Sequence, residues 1–73
     1  MEPYAVLVID DDPDYRTLVR WFLESKGLAV LEAPDCTTGV DMLDRERARV
    51  RFVLLDYWMP GKTPAECAQA GGL

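Results

Sequence analysis

Four aspartates are the residues of this 73-residue chain that are best placed to do chemistry. Asp10, Asp11 and Asp12 follow one apolar run, and Asp56 follows a second one further along. If the two runs are neighbouring parallel strands, all four carboxylates gather at one edge of a sheet. Crowded carboxylates repel one another, and burying a charge without a partner is costly. A hard cation bound by oxygen atoms relieves both penalties, and Mg²⁺ is the usual choice for phosphoryl chemistry. Asp56 is therefore predicted to be a metal-assisted nucleophile.

The four carboxylates are expected to have different roles. Asp11 is the best candidate for direct metal coordination, and Asp10 would hold a metal-bound water or orient its neighbour. Asp56 could be both ligand and nucleophile, because aspartates form covalent phospho-intermediates. The competing interpretation is structural: aspartates are frequent helix caps and turn residues. Capping explains Asp12 well, since Pro13 follows it, but it explains the two preceding aspartates poorly.

The elements that must position these aspartates alternate between strand and helix. The sequence predicts strands at 4–9, 28–31 and 52–55, and helices from Asp12 to Lys26–Gly27, from Asp35 to about Arg47, and from Thr63 onward. The first and third strands are apolar without alternation, which is typical of parallel strands buried on both faces. This order predicts an α/β fold: a parallel sheet with right-handed crossovers and helices on both faces. Ligands bind such sheets at the carboxyl ends of the strands.

Two features of the predicted helices can be tested directly. The first helix carries an apolar stripe with helical spacing, made of Tyr15, Leu18, Val19, Phe22 and Leu23. In the second helix Gly39 costs stability, unless it allows the helix to pack closely on a strand.

Composition limits the class of protein. The chain is long enough for one small domain, and its net charge of −5 disfavours nucleic acid or an anionic membrane as a direct partner. Cys36 and Cys67 fit no metal-ligand spacing and there is no histidine, so structural zinc is not expected. Both cysteines are expected to be reduced, as suits a cytoplasmic protein. Neither a signal peptide nor a membrane span is expected.

Two motifs resemble those of the receiver domains of two-component response regulators. Residues 6–13, Val-Leu-Val-Ile-Asp-Asp-Asp-Pro, are similar to that family's opening strand and acidic pocket. Residues 53–61, Val-Leu-Leu-Asp-Tyr-Trp-Met-Pro-Gly, resemble its phosphoacceptor strand and the loop that follows. The resemblance covers residues 4 to about 62. It implies a partial flavodoxin-like, doubly wound parallel sheet with strand order 2-1-3.

The resemblance also implies a function. Asp56 would be the phosphoacceptor, receiving a phosphoryl group from a sensor histidine kinase or a phosphotransfer protein. Asp10 and Asp11 would be the acidic pair, and the main-chain carbonyl of Trp58 would complete the protein's share of a Mg²⁺ site. The first helix, including Arg16 and Trp21, would lie on the face that meets the kinase.

The chain departs from the family after its third strand. The family's fourth strand, with a Ser or Thr that senses the phosphoryl group, and its fifth strand, with a contacting Lys, have no counterpart in these 73 residues. Lys62 lies in the wrong loop to replace that lysine, and the third helix, 63–70, is atypical. We therefore interpret residues 1–73 as a truncated receiver domain, from a shortened sequence or a changed reading frame near Thr63. Weak Mg²⁺ binding and slow or absent phosphorylation are expected.

Two alternatives follow from the same residues. The unpaired apolar edge of the third strand favours a homodimer or a domain-swapped oligomer. The chain would then be a non-catalytic binding module derived from a receiver domain. A metal-dependent phosphatase with an Asp nucleophile usually needs a second Asp two residues later. Position 58 is Trp, which argues against that class.

Overall fold

The computed structural model describes residues 4–55 of the chain. In this part the element order is β1 (Ala5–Ile9), α1 (Pro13–Ser25), β2 (Ala29–Ala33), α2 (Cys36–Arg45) and β3 (Val50–Leu55). The predicted order of strands and helices is confirmed over this range, and β3 begins two residues earlier than predicted. The predicted third helix lies outside the described residues.

The three strands form one parallel sheet in the order β2-β1-β3. All five residues of β1 are buried, as its unbroken apolar sequence predicts for a central strand. The predicted fold class and the 2-1-3 strand order are therefore confirmed. Ile9, the last residue of β1, pairs with Ala33 in β2 and with Leu55 in β3. The three strands thus end level with one another.

Alternation along β1 separates two layers of core. Val6 and Val8 pack with β2 and with residues of α1 and its C-terminal end. Leu7 and Ile9 belong to a second cluster that contains Leu43 and other residues of α2. Because successive side chains of a strand point to opposite faces, α1 and α2 cover opposite faces of the sheet. The prediction of helices on both faces is confirmed.

The ends of α1 follow the sequence signals. Asp12 has an extended backbone and its carboxylate accepts the N–H groups of Asp14 and Tyr15, with Pro13 as the first helical residue. At the other end Gly27 has a φ of 85°, a conformation that glycine adopts without the clash a side chain would cause. The predicted start and end of the helix are confirmed.

Only part of the apolar stripe of α1 packs against the core. Val19 and Leu23 pack against the core, whereas three members of the predicted stripe are exposed, namely Tyr15, Leu18 and Phe22. The reason is where α1 lies: it contacts β2 and β1. The same face of β3, which carries Phe52 and Leu54, is left exposed in the described part of the chain.

Cys36 corrects one expectation from the sequence. It is buried at the first position of α2 and is disulfide-bonded, so the prediction that it is reduced is wrong. The bond removes the argument for a cytoplasmic protein that rested on reduced cysteines. The cytoplasmic location itself stays a prediction. Between residues 4 and 55, neither helix is long and apolar enough to cross a bilayer.

Candidate functional site

The candidate site lies at the carboxyl edge of the sheet. Ile9 and Leu55 are paired at the ends of β1 and β3, so Asp10 and Asp56 are the residues that follow level strand ends. Asp56 and Trp58 themselves lie outside the described residues, and their predicted roles stay predictions. A cavity of about 610 Å³ opens at this edge, where Asp10, Asp11 and Asp12 line it together with apolar residues of α1, β1 and β3.

Asp10 is the one buried charged residue among those described, with 7% of its surface exposed. Its backbone N–H donates to the carbonyl of Ala33 over 3.0 Å, which extends the sheet ladder by one residue. One carboxylate oxygen, Oδ1, accepts the N–H of Asp12 at 2.9 Å. The side chain thereby holds the turn that follows β1, which fits the predicted role of orienting its neighbour.

Asp11 and Asp12 are both exposed but differ in what they bind. The Oδ1 atom of Asp12 accepts from the N–H groups of Asp14 at 2.9 Å and Tyr15 at 3.3 Å. It satisfies two of the helix's first N–H groups, so Asp12 is a capping residue, as the sequence predicts. Asp11 lies between this cap and the buried Asp10, at the rim of the cavity.

The donor atoms present suit a hard cation in kind. Asp10 and Asp11 supply carboxylate oxygens, the ligand type that Mg²⁺ prefers. Within residues 4–55 no group of three His, Cys, Asp or Glu side chains could hold a metal ion. The acidic pair would therefore need a further ligand. Asp56 is the candidate, because it follows Leu55 in the sequence and Leu55 lines the cavity.

Arg16 belongs to this site through contacts that the sequence analysis did not predict. It was named there only as part of the helix expected to meet the kinase, which stays a prediction, and 16% of its side chain is exposed. Its Nη1 donates to the main-chain carbonyl of Asp10 at 2.5 Å, and its Nε pairs with Glu32 at 3.2 Å. A usable signal was present: Glu32 is the only charged residue in β2, and an acid there indicates a basic partner.

Glu32 joins Arg16 to a second arginine. Its other carboxylate oxygen accepts from Nη1 of Arg20 at 2.8 Å, and Arg20 also pairs with Glu24 at 3.2 Å. Hydrogen bonds to Glu32 and then Glu24 raise the pKa of Arg20 above its usual value. A line of alternating charges thus runs along one side of α1 and ends at the backbone of the acidic pair.

Comparisons with known proteins agree with this geometry. The family model "Response regulator receiver domain" matches residues 6–69. An uncharacterized 14.6 kDa protein of Leptolyngbya boryana is 40% identical over 55 residues, which are 75% of this chain and 40% of that protein. The transcriptional regulatory protein CpxR of Escherichia coli K12 is 32% identical over 65 residues, 89% of this chain and 27% of CpxR.

A solved structure shows the same fold. The response regulator receiver domain protein from Clostridium thermocellum superposes with a TM-score of 0.87 at 25% identity, over 93% of this chain and 54% of that one. The chain belongs to the receiver-domain family of response regulators. It spans 40% and 27% of the two curated relatives.

Proposed function

We propose that the chain is a phosphoacceptor receiver domain, in which Asp56 takes a phosphoryl group from a phosphohistidine on a sensor histidine kinase or a phosphotransfer protein. The observation that carries the proposal is the register of the sheet. Ile9 and Leu55 are paired, so the two neighbouring strands that precede Asp10 and Asp56 in the sequence end at the same level. Family membership supports the same kind of partner.

The transfer needs few groups from the protein. An oxygen of Asp56 attacks phosphorus, the P–N bond to the histidine breaks in line, and the imidazole leaves with the bonding pair. A divalent cation, when bound, supplies the positive charge that offsets the phosphoryl oxygens. Asp10, Asp11 and the main-chain carbonyl of Trp58 would hold that cation together with Asp56. Asp12 is not expected to bind the cation, because its carboxylate caps α1.

For a polypeptide of these 73 residues we expect the reaction to be slow. Lys62 is the one lysine after β3, and the family resemblance gives that position no contact with the phosphoryl group. Losing one preorganised electrostatic partner costs about 2.7–4 kcal/mol in a transition state. Cation binding depends on the aspartates and is expected to persist, although weakly.

Cation binding is best tested by fluorescence. The chain has two tryptophans, so Trp21→Phe leaves Trp58 as the sole reporter, and Trp21 is exposed enough for the change to be mild. Titration with Mg²⁺ should change the signal, and Asp56→Asn and Asp11→Asn should each weaken the response. Asp14→Asn is the matched control, since it removes a nearby carboxylate from the first turn of α1. An equal response in all variants would overturn the metal site.

The chemistry needs its own measurement. Incubation with acetyl phosphate and Mg²⁺ should add one phosphoryl group to a small fraction of the chain, seen by intact mass. Asp56→Asn should abolish the addition, whereas Asp14→Asn should leave it unchanged. Modification that survives Asp56→Asn would show that the phosphoacceptor lies elsewhere.

A second candidate function is a non-catalytic binding or dimerisation module. Phe52 and Leu54 of β3 are 65% and 45% exposed, and Phe22 of α1 is 62% exposed. Exposed apolar surface on a sheet and an adjacent helix is typical of an interaction site. Absence of phosphorylation combined with concentration-dependent association would favour this candidate. We propose no direct contact with nucleic acid or an anionic membrane, in keeping with the net charge of −5. A cytoplasmic location is proposed from membership of the receiver-domain family.

A further inference from the structure

We propose that Arg16 is a positioning residue for the cation site. It would set the geometry of the acidic pair by holding the main-chain carbonyl of Asp10. The inference rests on the proposed function for the identity of the ligand, but the contact itself can be tested without a cation.

Within residues 4–55, three further hydrogen bonds hold the turn from Asp10 to Asp12. The N–H of Asp10 is bonded to Ala33 on β2, the N–H of Asp12 is bonded to the Asp10 carboxylate, and the carbonyl of Asp12 accepts from the N–H of Arg16 at 3.0 Å. Each of these uses a backbone group. The Arg16 guanidinium adds one more hydrogen bond, to the main-chain carbonyl of Asp10. This bond fixes the plane of the peptide that links Asp10 to Asp11.

The Arg16 side chain is itself held from the far side. Glu32 binds Nε of Arg16 with one oxygen and Nη1 of Arg20 with the other. Glu32 pairs in register with Val8, two residues before Asp10, so β2 carries the anchor of the arginine. A guanidinium can reach an acid and a carbonyl at once because its donors form a planar fork, whereas a lysine presents a point charge. The arrangement thus requires arginine at position 16.

Charge and geometry predict opposite results when Arg16 is removed. A positive charge beside the acidic pair repels a bound cation, so by Coulomb's law alone its loss should tighten Mg²⁺ binding. If Arg16 positions the pair, its loss should weaken binding. Outer contacts that orient metal ligands are worth about 10–100-fold in affinity. The sign of the change therefore separates the two effects.

The experiment measures Mg²⁺ affinity by calorimetry for the 73-residue chain and for Arg16→Gln, Arg16→Lys and Arg20→Gln. Arg16→Gln should weaken binding by about tenfold or more. Arg16→Lys keeps the charge and loses the fork, so it should also weaken binding. Arg20→Gln removes the other positive charge that pairs with Glu32 and leaves the contact between Arg16 and Asp10 intact. Its Mg²⁺ affinity should therefore stay within about twofold of the parent's. Tighter binding in Arg16→Gln, or equal weakening in Arg20→Gln, would overturn the proposal.

Amide hydrogen exchange without Mg²⁺ gives an independent readout. The N–H of Asp12 is bonded to the Asp10 side chain, so its protection reports on the held turn. Arg16→Gln and Arg16→Lys should accelerate its exchange more than that of Leu7 in the core, and Arg20→Gln should not. Unchanged protection of Asp12 in both Arg16 variants would refute the positioning role. If the parent chain shows no Mg²⁺ binding but Asp12 responds as described, the proposed function fails while the positioning contact stands.

Discussion

Gly39 of α2 lies directly against Ile9 of β1: a Cβ placed on Gly39 would come within 2.5 Å of Cδ1 and 2.7 Å of Cγ1 of that isoleucine. Ile9 is almost fully buried and immediately precedes Asp10. The absence of a side chain at Gly39 therefore allows α2 to pack closely on β1. Such packing was named from the sequence as the condition under which a glycine inside this helix would not simply cost stability. The contact sits one residue away from the acidic edge.

Gly39→Ala should destabilise the chain despite the better helix propensity of alanine. The propensity gain is about 1 kcal/mol, whereas forcing an extra methyl group into a packed core costs about 1–3 kcal/mol. Urea unfolding should show a net loss of free energy of up to about 2 kcal/mol. In an Ile9→Val background, which lacks Cδ1, the loss should shrink. A stabilising Gly39→Ala would mean that the isoleucine moves aside freely.

The neighbouring aspartates should separate into stability and binding roles. Asp12→Ala removes the cap of α1 and should lower the free energy of unfolding by about 1 kcal/mol, measured without cation. Asp11→Asn should leave that stability unchanged or raise it, because it relieves repulsion within the cluster, while weakening Mg²⁺ binding. If Asp12→Asn, which keeps a capping oxygen, weakened Mg²⁺ binding as much as Asp11→Asn, the assignment of roles would be wrong.

The cap of α2 should make stability depend on pH in acid. The Asp35 carboxylate accepts the N–H of Thr38 at 2.7 Å, and the Thr38 backbone and then its hydroxyl lower the pKa of Asp35 below its usual 3.8. A lowered folded-state pKa gives stability that is present above the unfolded pKa and lost as pH falls through the folded one.

Urea midpoints for the parent and for Asp35→Asn test this dependence. The parent's advantage should be full above about pH 5 and should shrink as pH is lowered through 4 and 3. Thr38→Ala keeps the N–H and removes the hydroxyl, so its acid loss should be smaller and should be complete at a slightly higher pH. A parent–variant difference that is constant with pH would show that the charge on Asp35 contributes nothing.

The exposed face of β3 should drive self-association of the 73-residue chain. Phe52 and Leu54 lie on the face that α1 covers over β1, where they pair with Val6 and Val8. Sedimentation should show association at high micromolar concentration, and Phe52→Ser should reduce it. Trp21→Ser is the control, an aromatic residue of similar exposure on α1. A monomer at all concentrations would remove the basis for the binding-module candidate.

The sequence was sufficient for the elements and for the class of fold. Asp12 with Pro13 and Lys26 with Gly27 marked the ends of α1, because capping depends on residues a few positions apart. The apolar run of β1 indicated a central parallel strand, because a strand buried on both faces has no polar side to show. These signals are local, so tertiary contacts did not alter them.

The tertiary structure decided which side chains meet. The stripe of α1 looked uniformly apolar, yet burial depends on which strands the helix lies across, and α1 reaches β1 and β2. The contacts of Arg16 could not be predicted from the sequence because its partners are 6 and 16 positions away in the chain. The sequence by itself determined that Asp10 and Asp11 end a buried strand. Only the folded sheet decided that an arginine holds the backbone of that pair, because such a contact joins elements that sequence spacing does not relate.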